Sequence, residues 1–239
     1  MAVEDLTQID AFMELLKQQE DLDPDLVPYL VENDTTSGSP FTTYIKHPLV
    51  FSIPHLPSLN ASVNGLYRQK VEGLQEALAE GEWNSVVYLH ERPYRLWAFR
   101  TYMEKMNDAQ YWELLGDIWV DSENIWQNEG DWRDCFHSTR PGSEGMMDDD
   151  ERATLAAMPS RLTIYRGFTH DDRVDGLSWT LDRSRAEWFA NRLARSDDTP
   201  YVATAVVRTE DVLAHFTGRE EDEIVVLPEH RIDTTTEEV

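Results

Sequence analysis

The chain has 239 residues, 41% of them hydrophobic and 10% aromatic, with eight tryptophans, so it can bury a sizeable core and is not a disordered chain. Its formal net charge of −25 argues against general nucleic-acid binding, because phosphate contacts depend on Lys and Arg. No apolar run approaches the roughly 18 residues of a membrane helix, Met1 to Asp5 lacks the basic and apolar segments of a secretory signal, and Cys135 as the only cysteine rules out an internal disulfide. These features predict a cytoplasmic protein without membrane association.

The negative charge is uneven. Residues 161–239 hold 10 Arg, no Lys and 17 acidic residues, a net of −7, which leaves −18 on residues 1–160. Such a field favours basic partners, or mimicry of nucleic acid against a protein that handles it; it also serves simple solubility.

Taken in chain order, an amphipathic helix is expected from Thr7 to Gln19, with Thr7 and Asp10 as a capping-box-like pair and Ile9, Phe12, Met13 and Leu16 on one face. Asp21 to Pro28 is acidic and punctuated by proline, and residues 33–59 read as mainly loop, with short strands at Thr42–Ile45 and Val50–Ile53. From Ser62 to Glu144 the pattern is helical. One helix carries Leu66, Val71, Leu74 and Leu78 and ends at Gly81; the next carries Leu96, Phe99, Met103 and Met106. A third carries Tyr111, Leu114, Leu115, Ile118 and Trp119, and Asp121-Ser122 is a candidate cap for a fourth with Ile125, Trp126, Trp132 and Phe136, aromatics read as core packing in preference to a pocket lining. After Asp148–Glu151, a short helix ends near Met158-Pro159 and strands take over: Leu162–Tyr165, Leu177–Thr180 and Val202–Val207. Asp182 caps a helix through Arg195 with Ala186, Phe189, Ala190 and Leu193 on its buried side; Thr209–Phe216 reads as a short helix and Glu223–Leu227 as a fourth strand. The layout is helical first and then α+β: an N-terminal helix and irregular acidic segment over 1–60, a helical lobe over 61–144, and a core over 145–239.

Glu221-Asp222-Glu223 leads into the apolar run Ile224-Val225-Val226-Leu227-Pro228. Carboxylates at i and i+2 of a strand share one face, an arrangement suited to charge-stabilising chemistry or to a solvated strand end. Two further elements precede it, Tyr165-Arg166-Gly167 at the end of a strand and Ser178-Trp179-Thr180 with both hydroxyls on one strand face. In this order the three elements resemble the Arg-Ser-Glu class of mono-ADP-ribosyltransferases, the cholera-toxin-like group that also includes phage enzymes. The helix containing Ala186-Glu187-Trp188-Phe189-Ala190 is similar to that family as well, and the resemblance covers residues 145–230.

The resemblance implies a small split β-sandwich, NAD as substrate and a protein acceptor. It implies that Glu223 holds the ribose 2′-hydroxyl and stabilises positive charge as nicotinamide departs, a task for a nearby carboxylate. Arg166 would clamp the dinucleotide phosphates with its planar fork, Gly167 would let the backbone approach the nicotinamide amide, Ser178 would orient Glu223, and Thr180 would support the site. A Glu at position 221 goes in the family with arginine as acceptor, for which a carboxylate must orient the guanidinium and take its proton. Like charges at Glu220 to Glu223 are expected to raise at least one carboxyl pKa. The chain departs from the family in three ways: only 57 positions separate Arg166 from Glu223, Trp179 fills a place that is more often Ser, and the Arg strand lacks the His of the diphtheria-like branch.

Other signals carry less. His90-Glu91 lacks the second His of a zinc-protease helix because Tyr94 stands there, and Cys135-Phe136-His137 has no partner pair for a metal. Asp148–Glu151 matches a helix N-terminus, and the Arg92, Arg95 and Arg100 group is read as paired to neighbouring acids. The expectation is therefore an NAD-dependent ADP-ribosyltransferase acting on a basic or nucleic-acid-handling protein, without metal, from the host cytoplasm if phage-encoded. The alternatives are an NAD glycohydrolase and a non-catalytic acidic binding protein.

Overall fold

The computed structural model describes residues 20–32, 40–123, 125–169, 173–195, 197–218 and 222–239. The helix expected over Thr7–Gln19 lies outside them. The chain divides into two compact units, Met1–Thr101 and Tyr102–Val239, each mixing helix with antiparallel sheet, an α+β organisation. Among the described residues no helix is long and apolar enough to cross a membrane.

In the first unit, β1 (Leu30–Glu32), β2 (Thr43–His47) and β3 (Val50–Pro54) form a three-stranded sheet in that order. The long helix α1 (Asn60–Glu80) places Val63 and Tyr67 in one core with Leu22, Leu26, Ile45 and Val50, and ends at Gly81 with φ 72°. Its buried stripe runs through Val63, Tyr67, Val71 and Leu74, so Leu66, expected on this face, is exposed. Buried Asn64 is satisfied from both ends of its amide: Oδ1 accepts from Asp23 N at 2.9 Å and Nδ2 donates to Asp21 O at 2.9 Å. The acidic stretch at Asp21–Asp25 is thereby held against α1. Helices α2 (Trp83–Leu89) and α3 (Arg95–Tyr102) follow, with Leu96 and Phe99 buried.

In the second unit, Asn107 and Gln110 close a capping box on α4 (Asp108–Asp121), whose expected stripe of Tyr111, Leu114, Leu115, Ile118 and Trp119 is entirely buried. Ser122 terminates α4 rather than starting the next helix: its N–H bonds Trp119 O, and a 3-10 turn (Ile125–Asn128) leads into α5 (Glu129–Phe136). Trp119, Trp132 and Phe136 pack as one aromatic group, with centroids 5.1 to 6.0 Å apart. Trp126 departs from the core expectation, being 48% exposed. A second capping box, Asp148 with Glu151, opens α6 (Asp149–Ala157).

The remaining strands are β4 (Arg161–Phe168), β5 (Ser178–Thr180), β6 (Tyr201–Arg208), β7 (Ala214–Phe216), β8 (Glu223–Val225) and β9 (Arg231–Glu238), with α7 (Arg183–Leu193) between β5 and β6. They form a six-stranded antiparallel sheet in the order β7-β8-β5-β4-β6-β9. β4 and β6 pair over eight positions, whereas β4 meets β5 only at Tyr165↔Thr180. The sheet therefore consists of two triplets, β7-β8-β5 and β4-β6-β9, joined by a single register pair.

The short helix expected over Thr209–Phe216 is instead one 3-10 turn (Thr209–Asp211) followed by β7. Ala214, His215 and Phe216 are all buried, and pairing with β8 overrides their local preference. One face of the sheet holds the core of Leu162, Ile164, Phe168, Trp179, Ala205 and Ile224; α7 covers Tyr165 and Val202 on the other with Ala186 and Ala190.

Candidate active site

Strand register explains how the candidate residues meet. Tyr165, Thr180 and Glu223 occupy one row across β4, β5 and β8, and partners in a row share a face. Ser178 lies two residues from Thr180 on that same face, diagonal to Glu223. Its hydroxyl donates a hydrogen bond to Glu223 Oε1. Thr180 is buried and its Oγ1 accepts from Asp182 N at 3.1 Å, which fixes the turn into α7; Asp182 in turn caps that helix through Ser184 N at 2.8 Å.

Arg166, one residue on from Tyr165, points to the opposite face, into the gap where β4 and β5 part. Its Nε donates to Arg173 O at 3.0 Å and its Nη1 to Ser178 O at 2.5 Å. The guanidinium lies so close to Gly176 that a Cβ there would sit 2.2 Å from Nη2. Among the described residues no carboxylate forms an ion pair with it. Burial brings its pKa from 12.5 down to about 10, with Glu129 and Glu223 acting to raise it and Arg231 and Arg173 to lower it. The group remains a cation at neutral pH.

Gly167 serves helix packing. A Cβ at this position would lie 2.0 Å from Ala186 O and 2.5 Å from Ala190 N, so α7 crosses β4 backbone to backbone. Trp179 points away from Ser178 and Thr180 into the core, as expected, with its indole N–H on Gly176 O at 2.8 Å.

A cavity of about 690 Å³ opens in the split between the triplets, within the range of small-molecule sites. Arg166, Gly167, Ser178, Thr180 and Glu223 all line it. Glu221 lies outside the described residues. The strand begins only at Glu223, and Asp222 has φ 42°, so the alternation that would place positions 221 and 223 on one strand face does not extend back through 222. The cavity has further cationic and aromatic walls, Arg173, Arg195, Trp126 and Phe189. The Arg173 guanidinium stands 4.0 Å over the ring of Trp126. Sequence reasoning missed the two arginines, placed Phe189 on the buried side of its helix, and preferred core packing to a pocket lining for Trp126. No family model matches this chain, and neither a curated protein nor a solved structure does.

Proposed function

We propose that the chain is an NAD-dependent mono-ADP-ribosyltransferase of the Arg-Ser-Glu class, with the divided sheet as its split catalytic sandwich. The observation that carries the reading is the Ser178–Glu223 hydrogen bond at the edge of a cavity that also holds the buried guanidinium of Arg166. A carboxylate oriented by a hydroxyl, with cationic walls around it, fits a substrate that carries a pyrophosphate and develops positive charge at a ribose carbon. NAD supplies both features.

In this reading Glu223 binds the 2′-hydroxyl of the nicotinamide ribose and stabilises the charge that grows at C1′ as the glycosidic bond to nicotinamide breaks. Ser178 holds the carboxylate in that orientation. Arg166 holds Ser178 by its carbonyl and lends positive charge to the phosphate side of the cavity. The acceptor nitrogen then forms the new bond at C1′ and loses a proton. Glu221 takes that proton and orients a guanidinium acceptor, so the target is an arginine on a basic or nucleic-acid-handling protein that the acidic chain attracts.

Incubation with labelled NAD and a host lysate, beside Glu223→Ala, tests the reading. Label on discrete proteins, lost in the variant, supports transfer. Nicotinamide release without labelled protein makes the chain a glycohydrolase. No NAD consumption overturns the reading and leaves an acidic binding protein. Glu221→Gln should abolish arginine modification while sparing NAD hydrolysis; equal loss of both would contradict its role with the acceptor.

A further inference from the structure

The segment Arg173–Ser178, which delivers Ser178 to the cavity, is held by its carbonyls. Arg166 takes those of Arg173 and Ser178, Arg231 Nη1 takes Val174 O at 2.8 Å, Arg133 Nη2 takes Asp175 O at 2.9 Å, and the Trp179 indole takes Gly176 O. Five of six successive carbonyls thus accept from side chains, in a stretch that enters a strand only at its last residue. Arg231 also bonds Asp175 Oδ1 at 2.7 Å through Nη2, and its guanidinium lies 4.9 Å over the Trp179 ring with the side chain 3% exposed. Arg133 is anchored in turn by Glu129 at 2.5 Å.

Such an arrangement is a poor way to gain stability alone, since buried guanidinium groups carry desolvation penalties that apolar packing avoids. It is a good way to define a position. A planar fork addresses two acceptors at fixed angles, which an ammonium cannot do. The ladder available to β5 is short, three pairs with β8 and one with β4, so the preceding segment has a large share in setting where the Ser178 hydroxyl stands.

We propose that Arg231 and Arg133 are positioning residues that hold the Arg173–Ser178 segment by its carbonyls and so bring the Ser178 hydroxyl onto Glu223. The catalytic consequence rests on the NAD reading; the conformational one does not. Arg231→Lys keeps the charge and loses the fork. Asp175→Ala removes one acceptor whose side chain is 65% exposed, so it leaves no buried hole and serves should Arg231→Lys fail to fold.

For Arg231→Lys, kcat for NAD turnover falls roughly 10- to 100-fold with KM within about 3-fold, the pattern of a lost transition-state geometry. Asp175→Ala shows the same pattern more weakly. Amide hydrogen exchange at residues 176–180 quickens at least about 10-fold in Arg231→Lys while β6 amides keep their protection. A kcat unchanged in both variants, or a KM rise at constant kcat, overturns the proposal, as does unchanged exchange at residues 176–180. If the wild-type chain turns over no NAD, the NAD reading fails by itself, and the exchange measurement still decides the positioning role.

Discussion

Gly167→Ala tests the contact on which the cavity wall depends. The added methyl would sit 2.0 Å from Ala186 O and 2.5 Å from Ala190 N, whereas ordinary contact begins at 3.4 Å. Both obstacles are backbone atoms of α7, so no side chain can rotate out of the way. The helix must retreat by about 1.4 Å at Ala186 and 0.9 Å at Ala190. Overpacking of this kind costs about 1–3 kcal/mol. Lifting α7 also loosens the contact of Ala186 and Ala190 with Val202, all now fully buried, so a total near 2–4 kcal/mol is expected. At roughly 2–4 °C per kcal/mol for a chain of this size, Tm drops by about 4–16 °C. Because Ala186 and Phe189 of this helix line the cavity, on the proposed reading NAD affinity should fall in step, by roughly tenfold or more. Circular dichroism melts and calorimetric titration with NAD read the two effects. Gly65→Ala is the control. It lies inside α1 with nothing within 4 Å of its added Cβ, so it should be neutral or stabilise by up to about 1 kcal/mol. A Gly167→Ala melt within 2 °C of wild type, at unchanged NAD affinity, would refute the backbone-contact argument.

Ser178→Ala removes the hydroxyl that orients Glu223; a hydrogen bond to a charged group is worth about 1.5–3 kcal/mol, so kcat for NAD turnover should drop roughly 10- to 100-fold at near-constant KM, and steady-state kinetics showing only a KM change would count against the assignment. Alkaline stability should report Tyr111, a buried phenol whose hydroxyl donates to Cys135 O at 2.8 Å and whose pKa burial pushes up to about 12 from 10.0. The folded pKa is the higher one, so the unfolded chain ionises first. Stability is intact below pH 10 and is lost as pH rises towards 12, by about 2–3 kcal/mol at most from this group. Urea unfolding at pH 9 to 11.5 should show a shallower decline for Tyr111→Phe, and parallel declines would remove Tyr111 as a cause.

Much of this was legible where local chemistry and burial agree. The α4 stripe, the Asp148 cap and the strands carrying Arg166, Ser178 and Glu223 each have a pattern that periodicity or capping makes visible, and register then brings the three site residues together. The sequence was silent where backbone pairing does the holding. β9 runs Arg231-Ile-Asp-Thr-Thr-Thr-Glu-Glu238 with most side chains exposed, so no apolar alternation marks it, although it pairs with β6 along its length. β7 was read as helix because three buried residues are too few for a period to show. Arg231 stayed hidden for a related reason. Its partners are the main-chain carbonyl of Val174 and the carboxylate of Asp175, both more than 50 positions away, and sequence spacing does not mark so distant a pair. Trp126 shows the opposite error, an aromatic in an apolar run that faces a cavity instead of the core.

The strand order has a consequence for the chain while it is being made. The site draws Arg166 from β4, Ser178 from β5 and Glu223 from β8, and the fork that steadies the Ser178 segment arrives only with Arg231 on the last strand. A ribosome-bound chain can therefore fold its helices and the β4–β6 hairpin first, since domains form progressively as they emerge. It has no oriented carboxylate until β8 has followed β4 and β5 out and β9 has brought Arg231 to the segment. On the proposed reading, an enzyme that consumes a cofactor shared by the whole cell stays silent until those strands insert.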